Sequence, residues 1–342
     1  MKVAIHHRAN SFSENWVKYC NKNNIEYSII NCRDNNILEK IKDFDGLLWH
    51  WGPDEAHYAV ALTIAIENMG IKVFPDFNTC WHFDNKISQR YILDSHNIKQ
   101  VPTYIFYSLD SALNWIRETT FPKVFKLRNG ASSTNVRLIK NRKLAKKIAK
   151  KAFSKGFNPN DRFSILKNQI WKFKLDKTFR RFLGIINGIR ILIFGNYNEN
   201  ILAKEKGYLY FQEFIPHNEY DTRIVVIGNK CFAIRRYNRD NDFRASGSGV
   251  KRYEPELFDT DLINNSFKLS SKMKTQTLAI DYIMNEKGEY LLVEVSYGFI
   301  TGSAYEDCNG YWTPDLAWHD KKVLPETFII EDFINSLKAK NL

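Results

Sequence analysis

Short apolar runs punctuate the first quarter of the chain, at KVAIHH (2–7), IEYSIINC (25–32), DGLLWHW (45–51) and IKVFPD (71–76). Each is bounded by polar or turn residues, as buried strands are. Between them the apolar positions recur at helical spacing over roughly 12–22, 35–43 and 54–69. Strands alternating with helices over so short a span predict a small Rossmann-like parallel-sheet domain at residues 1–76. The loops HHRANS and WHWGPDE would lie at the carboxyl ends of its strands, the edge where such sheets take ligands. Trp49 and Trp51, flanking His50, either grip a substrate there or pack into the core.

After FPDFNTCWHFDNK the pattern changes to helix NKISQRYILDSHNI, strand PTYIFYS and helix SLDSALNWIRET. FPKVFKLRNGASSTNVRLIK then reads as a strand bearing Lys126, a turn of small and hydroxyl residues (Gly130, Ala131, Ser132, Ser133), and a returning strand. Backbone N–H groups in such a turn can approach an anion closely while a lysine adds a point charge, which is how a phosphate is covered. A Gly/Ser turn in an ordinary hairpin looks the same. A central domain at 77–153, a basic insertion at 154–206 and a C-terminal domain at 207–342 complete the division. In the last, DTRIVVIG and KCFAIRRYN form a hairpin about Gly228 and Asn229, and Glu213, Asp221, Arg223, Arg235, Arg236, Arg239 and Arg244 interrupt the apolar alternation.

The 342 residues are 44% hydrophobic, enough for a large core. No window reaches the ~18 consecutive apolar residues of a membrane span, and the first apolar run is too short for a secretory signal, so a cytoplasmic protein is expected. Cys20, Cys32, Cys80, Cys231 and Cys308 form no CxxC pair and read as buried free thiols. The net charge of +12 points to nucleic acid, a membrane surface or an acidic small molecule. It concentrates in KNRKLAKKIAKKAFSKGF and WKFKLDKTFRRF, which read as amphipathic helices with basic outer faces.

TLAIDYIM and EYLLVEVSY flank NEKG, so they form a hairpin. If its turn centres on Lys287 and Gly288, Asp281 faces Glu294, and Ser296 shares their side of the sheet. Leu278, Ile280, Tyr282, Val293 and Val295 then pack inward on the other side, leaving Leu292 and Ile283 beside the acids. Two facing carboxylates destabilise a strand pair. A divalent cation removes the conflict, and oxygen ligands suit Mg²⁺ or Mn²⁺. An exposed face with incidental acids is the alternative.

From about Asp76 to Tyr297 the motifs and their order resemble an ATP-grasp enzyme, an α/β (α+β) fold behind a Rossmann-like N-terminal domain. In that resemblance Lys86 and Lys126 reach the nucleotide phosphates, and RNGASSTNV, with Ser132 and Ser133, is the loop over the triphosphate. LYFQEFI is similar to the strand and hinge that hold adenine, with Gln212 and Glu213 near the exocyclic amine and the backbone of Phe214 and Ile215 on the ring edge. Asp221 is a ribose-side or structural acid. AIRRYNRDNDFRASGSG resembles the ribosomal-protein glutamate ligase branch, which implies that Arg236 stabilises the transferring phosphoryl group and that Arg239 and Arg244 assist with phosphate or carboxylate. Asp281, Glu294 and Ser296 match the family's metal site, with serine where a terminal asparagine is usual. The tail SAYEDCNGYWTPDLAWHDKK lies outside the general motifs. Together with the serine variant and the basic insertion, it is similar to ATP-grasp proteins of bacterial surface-polysaccharide gene clusters.

The resemblance implies an ADP-forming carboxylate–amine ligase using ATP and Mg²⁺ or Mn²⁺. ATP would phosphorylate a carboxylate, and an amine would displace the phosphate to give an amide. The partners would be a small-molecule carboxylate, such as a nucleotide- or lipid-linked sugar acid, and an amine. The basic insertion and the loops around His7, Arg8, Trp49 and Trp51 would select them, accounting for the charge without nucleic acid. A ligase of peptide or protein carboxylates, a noncatalytic nucleotide-binding module and a nucleic-acid binder are the rival readings, and a homodimer is left open.

Overall fold

The structure is a computed structural model that describes residues 1–342 except 131–134, 160–161, 196–202, 239–249, 300–304, 306 and 341–342. The chain forms two compact units: Met1–Phe83 with Tyr91–Gln100 and Pro216–Leu342, and Asp84–Arg90 with Val101–Ile215.

The first unit opens with β1 (Lys2–His6), α1 (Ser13–Lys22), β2 (Glu26–Ile30), α2 (Ile37–Ile41), β3 (Gly46–Trp49), α3 (Ala56–Asn68), β4 (Lys72–Phe74) and α4 (Phe77–Cys80). The four strands make a parallel sheet in the order β2-β1-β3-β4, as the alternation of elements requires. Trp49 and Trp51 are fully buried. Trp51 packs against Phe83 and Tyr297, so both indoles are core residues and not a substrate grip.

In the second unit α5 (Lys86–Ser95) begins, and β5 (Thr103–Phe106), α6 (Leu109–Glu118), β6 (Lys123–Lys126), β7 (Arg137–Ile139), α7 (Arg142–Ala152), α8 (Arg162–Leu175), α9 (Phe179–Phe194) and β8 (Leu209–Glu213) follow. Its antiparallel sheet runs β5-β8-β6-β7. Ser108 and Asn141 cap α6 and α7 by accepting from the N–H groups of Ser111 and Leu144. The small faces of these helices (Ala112, Ala145, Ala149) pack on Phe125 and Phe211, which leaves the lysines of α7 outside. Helices α8 and α9 pack closely because Gly188 offers no side chain: a Cβ there would stand 3.1 Å from Leu166 Cδ1. The basic outer face expected for 171–182 does not hold for α9, whose outer side carries large apolar residues (Phe179, Phe182 and Leu183).

The first unit resumes with β9 (Tyr220–Ile227), β10 (Lys230–Tyr237), β11 (Lys251–Arg252), α10 (Thr260–Met273), β12 (Thr277–Met284), β13 (Tyr290–Ser296), β14 (Tyr311–Trp312), β15 (Trp318–His319) and α11 (Pro325–Lys340). They build a sheet in the order β13-β12-β9-β10-β14-β15, with β11 beside β10. Gly228 and Asn229 form the expected two-residue turn, Lys230 pairing Ile227. Gly228 has φ 53°, and a Cβ there would meet Asp332 Oδ2 at 1.9 Å, so only glycine fits. Both faces of this sheet are apolar by strict alternation. Val225, Ile227, Phe232, Ile234 and Ala279 share a core with β1, β3 and α11, while Ile224, Val226, Ala233, Leu278 and Ile280 pack with α10.

Candidate functional site

Period-two alternation lines up the polar residues of the second sheet. On β9 the side that carries Val225 and Ile227 continues to Arg223 and Asp221; on β10 Ile234 leads to Arg236. On β12 Ala279 leads to Asp281, and on β13 Glu294 and Ser296 belong to the same side. Strand pairing sets Glu294 opposite Asp281 and Ser296 opposite Ala279, as the hairpin count anticipates, and it sets Asp281 opposite Arg223 and Arg236 opposite Asp221. The register departs from expectation just past Asp281. A bulge pairs Tyr282 with Leu292, so Leu292 is fully buried beside Ile280 and Val295 while Val293 takes the more exposed place. The extra residue re-aims one strand without disturbing the acid pair.

The carboxylates are held by arginines. Arg223 donates from Nε and Nη2 to Asp281 Oδ1 and Oδ2 at 2.6 and 2.8 Å. Arg236 Nε donates to Asp221 Oδ1 at 2.7 Å, its Nη2 also contacts Asp221 Oδ2, and the same nitrogen lies 3.0 Å from Asp281 Oδ2. Burial opposes the charge of Asp281, yet Arg223 and then Arg236 outweigh it and hold this carboxyl far below the usual range. Asp221 moves the other way: burial and the nearby Asp281 charge raise it in spite of Arg236. The conflict between facing acids that the sequence assigns to a cation is thus eased by two guanidiniums, and Arg223 is the participant that sequence reasoning left without a role. Its signal was present, since it shares the parity of Asp221 and lies directly across from Asp281.

The donor set is the kind a hard dication takes. Asp281, Glu294 and Ser296 offer only oxygen, the chemistry Mg²⁺ and Mn²⁺ take. Ser296 Oγ donates to Gly298 O at 2.6 Å, which leaves its lone pairs able to ligate. The oxygens of Asp281 are shared with the arginines. The set fits a cation in kind, Asp281 contributing while still ion-paired.

In the other unit, Lys86 is buried and its Nζ donates to Gly130 O at 2.8 Å, while Asp84 accepts from Gly130 N–H at 2.9 Å. This fastens the start of the small-residue turn to the N-terminus of α5. Lys126 is buried at the end of β6, across from Tyr210 of β8. Gln212, also buried, donates from Nε2 to Thr103 Oγ1 at 3.1 Å. Glu213 points to the opposite side, where Lys123 Nζ lies 2.8 Å from Oε1 and Tyr104 Oη donates at 3.0 Å. Phe214 and Ile215 follow directly on β8. Ser132, Ser133, Arg239 and Arg244 lie outside the described residues.

A second polar cluster sits at the carboxyl ends of β1 and β2. A cavity of about 490 Å³ is lined by His6, His7, Arg8, Asn31, Arg33 and Asp34, among others. Beside it the carboxylate of Glu55, 3% exposed, accepts from Arg8 Nη1 at 3.2 Å, Arg33 Nη2 at 2.8 Å, Tyr58 Oη at 2.9 Å and Gly52 N at 3.2 Å. One buried acid therefore fixes two guanidiniums side by side. Burial resists its ionisation, but Arg33 and the N–H and O–H donors overcome that and lower its pKa. His6 Nδ1 accepts from Cys32 N–H at 2.9 Å, so the neutral ring carries its proton on Nε2, and burial lowers its pKa. His50 Nδ1 accepts from Phe12 N–H, and burial, with the charge of Arg8, brings it down to about 3. Sequence reasoning named His7 and Arg8 but missed Glu55; its signal was an acid at the start of α3, where a helix N-terminus favours negative charge, with arginines after two neighbouring parallel strands.

The elements make an α/β protein, and known proteins of the same fold are ATP-grasp enzymes. Residues 185–303 match the model of the RimK-like ATP-grasp domain. The α-aminoadipate–LysW ligase LysX of Saccharolobus solfataricus is 25% identical over 239 residues, 70% of each chain. The D-alanine–D-alanine ligase of Bacillus anthracis complexed with ATP superposes with a TM-score of 0.58 at 13% identity, over 99% of both chains. A RimK domain ATP-grasp protein of Sphaerobacter thermophilus gives 0.51 at 14% identity, over 86% of this chain and 90% of its own. Residues 185–303 are therefore similar to the RimK-like ATP-grasp domain, and the whole chain has the fold of ATP-grasp ligases.

Proposed function

We propose that this ligase joins an amine or amino acid to the carboxylate of a sugar acid, in the assembly of bacterial surface polysaccharide. The observation that carries the reading is the cavity at the carboxyl edge of the parallel sheet. Arg8 and Arg33, anchored by Glu55, stand there with Asn31 and the Nε2–H of His6. Convergent fixed donors around a small-molecule volume suit a polyhydroxylated anion.

ATP supplies the phosphoryl group that makes the carboxylate an acyl phosphate, which the amine converts to an amide with release of phosphate. In this reading Lys86 and Lys126 neutralise the triphosphate, with Ser132 and Ser133 covering it. Gln212 and the backbone of Glu213, Phe214 and Ile215 hold adenine, the Glu213 side chain being turned to Lys123 and Tyr104 on the other side. Asp281, Glu294 and Ser296 hold Mg²⁺ or Mn²⁺. Arg236, oriented by Asp221, stabilises charge on the transferring group, with Arg244 assisting. All of these groups bind, orient or neutralise, and none is required as a covalent nucleophile.

A second reading is supported by the relative whose name records a LysW partner: the carboxylate would then sit on a peptide or carrier protein. An ADP-release screen of sugar acids and glutamyl peptides against amino acids and amines, with mass detection of products, separates them. Amide products from uronic acids support the first reading; products only from peptide carboxylates replace it with the second. Mg-ATP binding without ADP release from either panel defeats both.

A further inference from the structure

The hairpin of α8 and α9 presents a surface that the ligase reading does not use. Helix α9 turns Gly184, Gly188 and Ile191 toward α8, where a Cβ at Gly184 would meet Gln169 Oε1 at 2.7 Å. Its other side carries Phe179, Phe182, Leu183, Ile186, Ile193 and Phe194, each between 45% and 80% exposed. At helical spacing these positions share one side of α9, with the exposed Arg190 set among them. An exposed apolar face of that extent marks an interaction surface and not ordinary scatter.

Charge decides what covers it. Residues 162–195 contain eight Lys or Arg and a single acid, Asp176. Lys174, Lys177 and Arg180 are exposed beside Phe179, where the two helices connect. A second copy of the chain seated on this stripe would bring two strongly basic hairpins together, which like-charge repulsion opposes. Phenylalanine and isoleucine on one side with lysine and arginine at its margin are the composition of a helix that lies in a bilayer interface. Among the described residues no helix is long and apolar enough to cross a membrane, so contact would be with the surface.

We propose that the α8–α9 hairpin docks this ligase on an anionic lipid bilayer, the apolar stripe of α9 seated at headgroup level and the flanking lysines and arginines on lipid phosphates. The surface stands independently of which carboxylate is activated. It would hold the enzyme where a membrane-anchored acceptor is presented.

The test is co-sedimentation of the full chain with vesicles of equal parts phosphatidylglycerol and phosphatidylcholine, beside vesicles of phosphatidylcholine alone. Wild type is expected on the anionic vesicles, less on the neutral ones, with binding that weakens as salt rises. Phe179→Ser/Ile186→Ser/Ile193→Ser, all at exposed positions, should lower partitioning at least about tenfold, with melting temperature and Mg-ATP affinity unchanged. Lys174→Glu/Lys177→Glu should lower it further, as each basic residue near an anionic surface multiplies binding about fivefold. Failure of wild type to sediment, or sedimentation that the apolar variant leaves intact, overturns the proposal. A wild-type dimer that ignores vesicles and that the same variant dissociates makes the stripe a contact between copies, and overturns it equally.

Discussion

Replacing Arg223 by methionine tests the electrostatic account of the cluster. The substitution keeps an unbranched side chain over the apolar stem and removes two hydrogen bonds to Asp281, at 2.6 and 2.8 Å. Charge-assisted hydrogen bonds contribute a net ~1.5–3 kcal/mol each, and stripping one partner from a buried pair costs ~3–5 kcal/mol in all. Arg236 stays 3.0 Å from Asp281 Oδ2, so part of the charge remains compensated and a loss of about 2 kcal/mol is expected. In a cooperative unit of this size that lowers the melting temperature by about 4–8 °C. The pH dependence fixes the cause. Because the folded-state pKa of Asp281 is depressed, the pair stabilises the chain above the ordinary carboxylate pKa of about 4 and is lost as pH falls through the lower folded value. The gap between wild type and Arg223→Met, measured by calorimetry, should be constant from about pH 8 to pH 5 and close only in stronger acid. Arg223→Met/Asp281→Leu should recover most of the lost stability, since both charges are gone, while losing ADP release because the proposed metal ligand Asp281 is removed. A single variant as stable as wild type, or a gap that closes near neutrality, refutes the account.

Glu294→Gln removes a proposed metal ligand; ADP release should fall by at least about a thousandfold, and wild-type turnover would remove Glu294 from the metal site. Ser296→Asn should tighten Mg²⁺ in the presence of ATP, read as a lower half-saturating concentration with turnover retained; weaker binding would mean that the hydroxyl acts through its bond to Gly298. Arg33→Ala should raise KM for the acidic substrate about tenfold or more and leave KM for ATP unchanged. An effect on ATP alone would remove the cavity from substrate binding.

Much of this was readable from residue order because strands have a period of two. Once the turn after Asn285 is recognised, the pairing of Asp281 with Glu294 follows, and the same parity places Arg223 and Arg236 beside them. The bulge was not readable. Leu292 and Val293 are both apolar, so slipping one past the other leaves the hydrophobic pattern unchanged and only the register reveals it. Helix α9 shows the same degeneracy: with isoleucine, leucine and phenylalanine on nearly every side, periodicity cannot separate the packed side from the exposed one. Gly184 and Gly188, four apart, do mark the side against α8. Trp49 and Trp51 left two readings open for a different reason, since aromatic residues at a strand end serve a ligand edge and a core equally well, and only their burial distinguishes the two.

The arginines do not displace the metal reading; they set its conditions. Among the described residues, Asp221 and Asp281 are ion-paired with the guanidiniums of Arg223 and Arg236. A dication alone would stand close to these two guanidiniums, an arrangement that disfavours metal on its own. A polyphosphate ligating the same metal would reverse that balance, because its oxygens would accept from the guanidiniums while the carboxylates would hold the cation. On the proposed metal reading the cluster would suit metal and phosphate arriving together, its ion pairs keeping Asp281 ionised and in place beforehand.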